Sequence, residues 1–258
     1  MYKKAYGIIE TLAPLHVGAT AGEESGNLNL IFRDQFTQTG ILPGSSIRGR
    51  LRSEMRLIDG EETANYWYGN EAGSEKSEFN NESIIKFEYA SILWLPVFCP
   101  GQPIVWVSSP RLLQRYQRIV GDSVKYDGKS LKEIDIPDPY TGSKNLKGKQ
   151  SLGKKTLFFN LGFLTITKTV DLSPWFPSAK EKPAVIVDDS DISMIHDMAL
   201  YRQSRVRLKP DQKVVDAGGF FNTEALPEGT ILVFPIAMKD DKSGKQWEPL
   251  KGTQSTDI

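Results

Sequence analysis

The chain has 258 residues, 39% of them hydrophobic and 25% charged, which suits a globular protein with a real core. Its 32 basic and 32 acidic side chains cancel, which excludes a uniformly basic nucleic-acid binder and allows only one whose charges are segregated. Cys99 is the single cysteine, so an internal disulfide and a cysteine-based zinc site within the chain are excluded, and a reducing cytoplasm is the expected compartment.

Residues 6–15 alternate in a β-like way and predict a strand that ends at His16-Val17-Gly18. Residues 19–29 are rich in Gly, Glu, Ser and Asn and predict a flexible surface loop, which makes His16 at its mouth a candidate ligand contact. A short apolar piece at 30–32 leads through Arg33-Asp34 into the most informative segment, Leu42-Pro43-Gly44-Ser45-Ser46-Ile47-Arg48-Gly49-Arg50-Leu51-Arg52. Pro43 has no N–H and Gly44 tolerates unusual backbone angles, so a sharp turn is expected there. Ser45 or Ser46 is the expected N-cap of a helix over about 46–57. A helix start offers N–H groups and partial positive charge to an anion. Arg48, Arg52 and Arg56, spaced i, i+4, i+8, predict a cationic stripe beside the apolar stripe of Ile47, Leu51 and Met55.

Residues 71–82 are acidic and Gly/Ser/Asn-rich, and an insertion is expected over about 60–83. Residues 84–97 and 104–107 predict buried strands joined at Pro100-Gly101-Gln102-Pro103, followed by a helix from Ser109-Pro110 to about 119. Residues 120–156 carry few apolar side chains and many lysines, and predict a second insertion. Strands are expected at 157–169 and 184–187, and the acidic run Asp188, Asp189, Asp191 is expected to start a helix over 192–201. Ser204-Arg205-Val206-Arg207-Leu208 alternates and is expected to pair with residues 220–223, with 230–238 as the last strand. This order predicts an α+β fold with a ferredoxin-like core and long insertions, organised as a single domain over 1–258.

The chemical motifs are mostly negative. There is no G-x-x-x-x-G-K-[ST] loop, no G-x-G-x-x-G after a strand and no H-E-x-x-H. The histidines, His16 and His196, are too few for most metal or acid–base sites, and His196 is expected to be structural. Phe220 and Phe221 are expected to supply core in preference to base stacking. No metal site or resident cofactor is expected. No stretch approaches a membrane span, and the N-terminus lacks the apolar region of a secretory signal, so no membrane partner is expected.

Taken together, Leu15-His16-Val17-Gly18, Ile31-Phe32-Arg33-Asp34, Thr39-Gly40 and the Leu42–Arg52 segment resemble the N-terminal signature of the RAMP superfamily, the backbone subunits of type III CRISPR complexes. Residues 89–97, 105–110 and Gly218-Gly219-Phe220-Phe221-Asn222-Thr223-Glu224-Ala225-Leu226-Pro227 are similar to the Cmr (type III-B) backbone subunit. The resemblance implies an RRM-related core, a β-hairpin thumb and polymerisation along a CRISPR RNA. The implied partners are that RNA, its complementary target RNA, further copies of the chain and other type III effector subunits. The implied RNA contacts are His16, Gly18, Arg33, Gly44, Ser45, Ser46, Arg48, Arg52, Arg205 and Arg207, with Arg48 standing where the family usually has lysine. The family's target-cutting aspartate falls, counting back from Arg33, on Leu28, flanked by Asn27 and Asn29. Leucine can neither act as a base nor organise a metal-bound water, so RNA holding without cutting is expected. The alternatives are a ribonuclease using Asp34 or Glu24 with Mg²⁺, and a phosphate or small-ligand binding protein unrelated to RNA. The family also usually ends in a Gly-rich loop after a further helix, whereas this sequence ends near Lys251-Gly252-Thr253, so it is naturally short or incomplete.

Overall fold

The computed structural model describes residues 2–18, 28–70, 82–121, 123–151, 153–160, 162–208, 215–240 and 246–249. In chain order the elements begin with β1 (Tyr2–Glu10), β2 (Leu28–Asn29), β3 (Ile41–Leu42), α1 (Gly44–Asp59), α2 (Glu61–Tyr68) and β4 (Ile85–Phe87). Then come β5 (Ala90–Cys99), β6 (Gln102–Ser108), α3 (Pro110–Val120), β7 (Lys125–Tyr126), β8 (Lys129–Ser130) and β9 (Thr141–Ser143). Next are β10 (Lys149–Ser151), β11 (Lys154–Phe159), β12 (Gly162–Ile166), β13 (Lys168–Val170) and β14 (Ala184–Ile186). The chain finishes with α4 (Ile192–Ala199), β15 (Tyr201–Leu208), β16 (Val215–Ala225) and β17 (Ile231–Lys239). The architecture is mixed α+β, and it divides into two compact units: Met1–Gly7, Leu42–Ala90 and Phe234–Ile258 form one, Ile8–Ile41 and Ser91–Val233 the other.

In the larger unit the start of β17 pairs antiparallel with β5, which pairs with β6. β14 runs parallel to β6 and antiparallel to β9, and β13 runs parallel to β9. Buried on both faces, β5 is a nearly unbroken apolar run, as central strands are. Trp94 stacks on Phe176 at 4.3 Å between ring centroids and donates its indole N–H to the Trp175 carbonyl at 2.8 Å, so its one polar atom is satisfied inside the core. α3 lays Leu112, Leu113, Tyr116 and Val120 inward, with Pro110 in its first turn. Asp189 does not cap its own helix: its Oδ1 accepts from the Arg111 backbone N–H at 3.0 Å and satisfies the start of α3.

In the smaller unit α1 packs on α2, and β4 pairs antiparallel with β17 from Ile236 to Met238. Tyr68, Phe87, Phe234 and Trp247 gather there, and the Trp247 indole donates to the Tyr68 hydroxyl at 3.0 Å.

Two stretches hold more regular structure than their composition predicts. The region expected as an insertion at 60–83 begins with an ordered helix, α2, whose Ala64, Trp67 and Tyr68 are buried. Residues 71–81 lie outside the described residues, as do 19–27, which were expected to form a loop. The second region, 120–156, contributes the buried strand β9 to the large sheet, together with the β7–β8 hairpin and a 3-10 turn at Leu131–Glu133 held by a Ser130–Glu133 capping box. Its burial comes from sheet neighbours far away in sequence, which a local count of apolar residues cannot register.

Candidate nucleic-acid interface

The start of α1 sits in the smaller unit. Its N-cap is Pro43, extended at φ −57° and ψ 140°, and the Pro43 carbonyl accepts from the N–H groups of Ser46 and Ile47 at 3.0 and 3.2 Å. Neither Ser45 nor Ser46 is the cap; both lie in the first turn, and no side chain caps the helix. A fixed proline φ sets the entry angle in place of a hydroxyl. The amides of Gly44 and Ser45 precede the first intrahelical bonds, and the first turn itself contains no acid, so no carboxylate within that turn offsets the positive end of the helix. Gly44 is required by packing: a Cβ there would lie 2.4 Å from the Phe87 carbonyl oxygen and 3.0 Å from that of Glu88.

The cationic stripe is narrower than its spacing predicts. Arg52 is half-buried and donates to Asn65 Oδ1 on α2 at 2.7 Å, and Arg56 is half-buried as well. Arg50 pairs with Glu54 one turn on. Of Arg48, Arg52 and Arg56, Arg48 is the exposed one; exposed Ser45, three residues earlier, shares its helix face, and the next residue, Gly49, is exposed as well. Apart from its chain neighbours and the helix's own backbone, nothing among the described residues comes within 4 Å of where a Gly49 Cβ would stand, so a ligand backbone can approach the helix there.

His16 and Arg33 belong to the larger unit, in a polar cluster assembled from distant segments. Arg33 donates through Nη1 to Asp197 and through Nη2 to Glu224 Oε2 at 3.1 Å. The Glu224 side chain is only 4% exposed, so the guanidinium neutralises a carboxylate with almost no access to water. The structure therefore turns Arg33 inward onto two acids. His16 Nδ1 lies 2.6 Å from the Glu224 carbonyl oxygen and donates to it, while its Nε2 edge faces Gly18.

His196 is fully buried, and its Nε2 accepts from the Gly40 N–H at 2.9 Å. That bond leaves the proton on Nδ1, which lies 3.3 Å from Asp197 Oδ1 and donates to it. Burial pushes the imidazole below its ordinary value and keeps it neutral. The His196 hydrogen bond, against the partial burial of Asp197 and with help from Arg33, holds the Asp197 carboxyl down at about 2. Protonated His196 would point an N–H at the Gly40 N–H, so the unfolded chain binds that proton more readily than the folded one. Stability is expected to be full above about pH 6.5 and to fall as the pH drops below it, the direction for a base whose folded pKa is lowered. Urea denaturation at about pH 7.5 and about pH 5.5 checks this; His196→Gln, whose carbonyl can still accept from Gly40, is expected to flatten the difference.

Asp34 anchors a turn. Its Oδ1 accepts from Phe36 N at 3.1 Å, Thr37 N at 2.8 Å and Thr37 Oγ1 at 3.0 Å. Leu28 lies in β2 and pairs in parallel register with Asn222 of β16. Glu23, Glu24 and Asn27 lie outside the described residues. Arg205 and Arg207 stand two apart on β15, in the expected hairpin with β16, where Ser204 faces Asn222 and Arg205 faces Phe221; their side chains, and those of Phe220 and Phe221, lie outside the described residues. The structure thus brings His16, Gly18 and Arg33 into one cluster and Gly44, Ser45, Ser46 and Arg48 into another. Sequence reasoning missed Asp197 and Glu224 as partners of Arg33, because they lie 164 and 191 positions away and no spacing signals them. Among the described residues no group of three or more His, Cys, Asp or Glu side chains is placed to hold a metal ion, and no helix is long and apolar enough to cross a membrane.

No curated protein matches the chain. Among solved structures, the fold is similar to a type III-B Cmr-beta bound to cognate target RNA, at TM-score 0.65 and 17% identity over 94% of this chain and 85% of the other. It is also similar to oligomeric Cmr4 from Pyrococcus furiosus, at TM-score 0.59 and 18% identity over 94% and 84%. A second Pyrococcus furiosus structure, described as Cmr4 (Cas7), matches at TM-score 0.54 and 18% identity over 95% and 83%. The RAMP superfamily matches residues 8–253, a span that takes in both clusters and the β15–β16 hairpin, and the chain is a member of that superfamily.

Proposed function

We propose that this chain is a backbone subunit of a type III CRISPR effector, which holds the guide RNA by its phosphates and leaves the target uncut. The observation that carries the reading is the start of α1: an acid-free first turn beside exposed Arg48 and an unobstructed Gly49. Backbone N–H groups and a guanidinium suit phosphate oxygens, and arginine in place of lysine keeps the charge while adding a bidentate grip. The Cmr-beta relative was solved with cognate target RNA and the Cmr4 relative as an oligomer, which supports RNA and further copies of the chain as partners. In this reading the large sheet and its helices form a ferredoxin-like core, and the β15–β16 hairpin is the thumb, with Arg205 and Arg207 on its first strand. Base recognition is left to pairing between guide and target.

Leucine at the expected cutting position and the engagement of Asp34 Oδ1 in a turn both favour holding over cutting. Mg²⁺ enters only if the chain cleaves. The test is expression with the neighbouring effector subunits. The wild-type complex is expected to purify with a discrete small RNA, and Arg48→Glu is expected to lower its occupancy about tenfold, the scale of a lost charge-assisted hydrogen bond. Occupancy should also fall steeply with salt, because phosphate contacts release counterions. Unchanged occupancy in Arg48→Glu would contradict the reading.

A further inference from the structure

Residues 139–170 contain six lysines and no acid, so the remainder of this neutral chain is net negative by six. Within that stretch β10, β11 and β12 form a separate three-stranded antiparallel sheet. Leu157 and Phe159 of β11 and Ile166 of β12 point inward and are buried, so the alternate residues define an outer face. On that face Phe158 lies directly opposite Phe163, with ring centroids 5.0 Å apart. Phe163 is 78% exposed and Phe158 43% exposed. One row along, about 7 Å away by strand geometry, Lys149, Thr156 and Thr165 stand side by side, and Lys154 follows one row further. The sheet also borders a groove of about 610 Å³ whose lining includes Lys154, Thr156, Phe163 and Tyr140, with Asp191 hydrogen-bonded to the Tyr140 hydroxyl at 3.1 Å.

Two paired, exposed aromatic rings next to lysines and hydroxyls are unusual for solvent-facing sheet. Protein interfaces are depleted in lysine, and their buried centre is more apolar than the rest of the surface. This face has cations and hydroxyls around its rings instead of aliphatic side chains, the combination that stacks bases and follows a phosphate chain. We propose that the outer face of the β10–β12 sheet is a stacking platform for single-stranded RNA, with bases on Phe163 and Phe158 and flanking phosphates on Lys149 and Lys154. The platform is separate from the α1 grip and does not rest on it.

The test uses the full chain and a labelled oligouridine of about 12 nucleotides, followed by fluorescence anisotropy, with ultraviolet cross-linking to locate the contact. In an Arg48→Glu background, which removes the α1 grip, residual binding is expected, with a cross-link in the peptide carrying Phe163. Phe163→Ser is expected to weaken that binding at least fivefold, the lower end of one lost base stack, while Phe163→Tyr, which keeps the ring, retains it. Lys149→Glu should reduce the salt dependence. Because Phe163 is exposed, the serine variant should fold, and its circular dichroism serves as the control. The proposal is overturned if Phe163→Ser binds like its parent, if the Arg48→Glu chain binds no RNA, or if RNA-free oligomers form through this face and Phe163→Ser dissolves them. Loss of binding in Phe163→Ser with no effect of Arg48→Glu would support the platform and contradict the α1 grip.

Discussion

Arg33→Met is expected to destabilise the larger unit by about 3 kcal/mol, because it leaves the Glu224 carboxylate in a nearly dry site without its counter-charge. The second carboxylate, Asp197, is open enough to be rehydrated, so the cost falls mainly on Glu224. Urea denaturation at neutral pH measures the loss. The double variant Arg33→Met/Glu224→Gln should recover much of it, since removing both charges removes the desolvation penalty that either one bears alone. If Arg33→Met shifts the midpoint no more than a typical surface substitution, the cluster does not organise the fold as described. A phosphate-gripping arginine would give the opposite pattern, with RNA binding lost and stability unchanged.

Gly44→Ala is the second large effect, and its sign is diagnostic. In an exposed helix the change from glycine to alanine stabilises by about 1 kcal/mol. Here the added methyl would meet the carbonyl oxygens of Phe87 and Glu88, backbone atoms that cannot swing aside, so α1 must shift from β4. The expected cost is about 1–3 kcal/mol, as for other overpacked sites, together with loss of guide retention because the helix start is displaced. Ser45→Ala supplies the contrast. Ser45 is exposed and is not the cap, so its loss should spare the ~1 kcal/mol that a true N-cap contributes. Thermal denaturation of the three proteins checks both statements, and a stabilised Gly44→Ala would refute the packing described for α1.

Elements whose pattern is local were legible in the sequence. Ser204–Leu208 alternates cleanly, and its partner strand followed in register at Asn222. α3 carried both a proline at its start and an inward apolar face, and it spans Pro110–Val120 against an expected end near 119. What was not legible depends on distant partners. β9, Thr141-Gly142-Ser143, has no apolar residue, yet it is fully buried because β14 and β13 flank it. α2 was obscured by its polar surroundings, although Trp67 and Tyr68 anchor it. At the candidate interface, spacing placed Arg48, Arg52 and Arg56 on one stripe; it could not reveal that Arg52 would be engaged by Asn65 of α2 and that Arg56 would be half-buried. Arg33 shows the same limit, since its inward turn is dictated by acids more than 160 positions away.

The central claim is that the chain holds RNA and does not cut it. Its most direct measurement is incubation of the assembled, guide-loaded complex with end-labelled complementary RNA and Mg²⁺, resolved on a denaturing gel beside the Asp34→Ala complex. The account predicts that target is retained at full length by the wild-type subunit and that Asp34→Ala changes nothing in the cleavage pattern. Regularly spaced cuts that vanish with Asp34→Ala would contradict it.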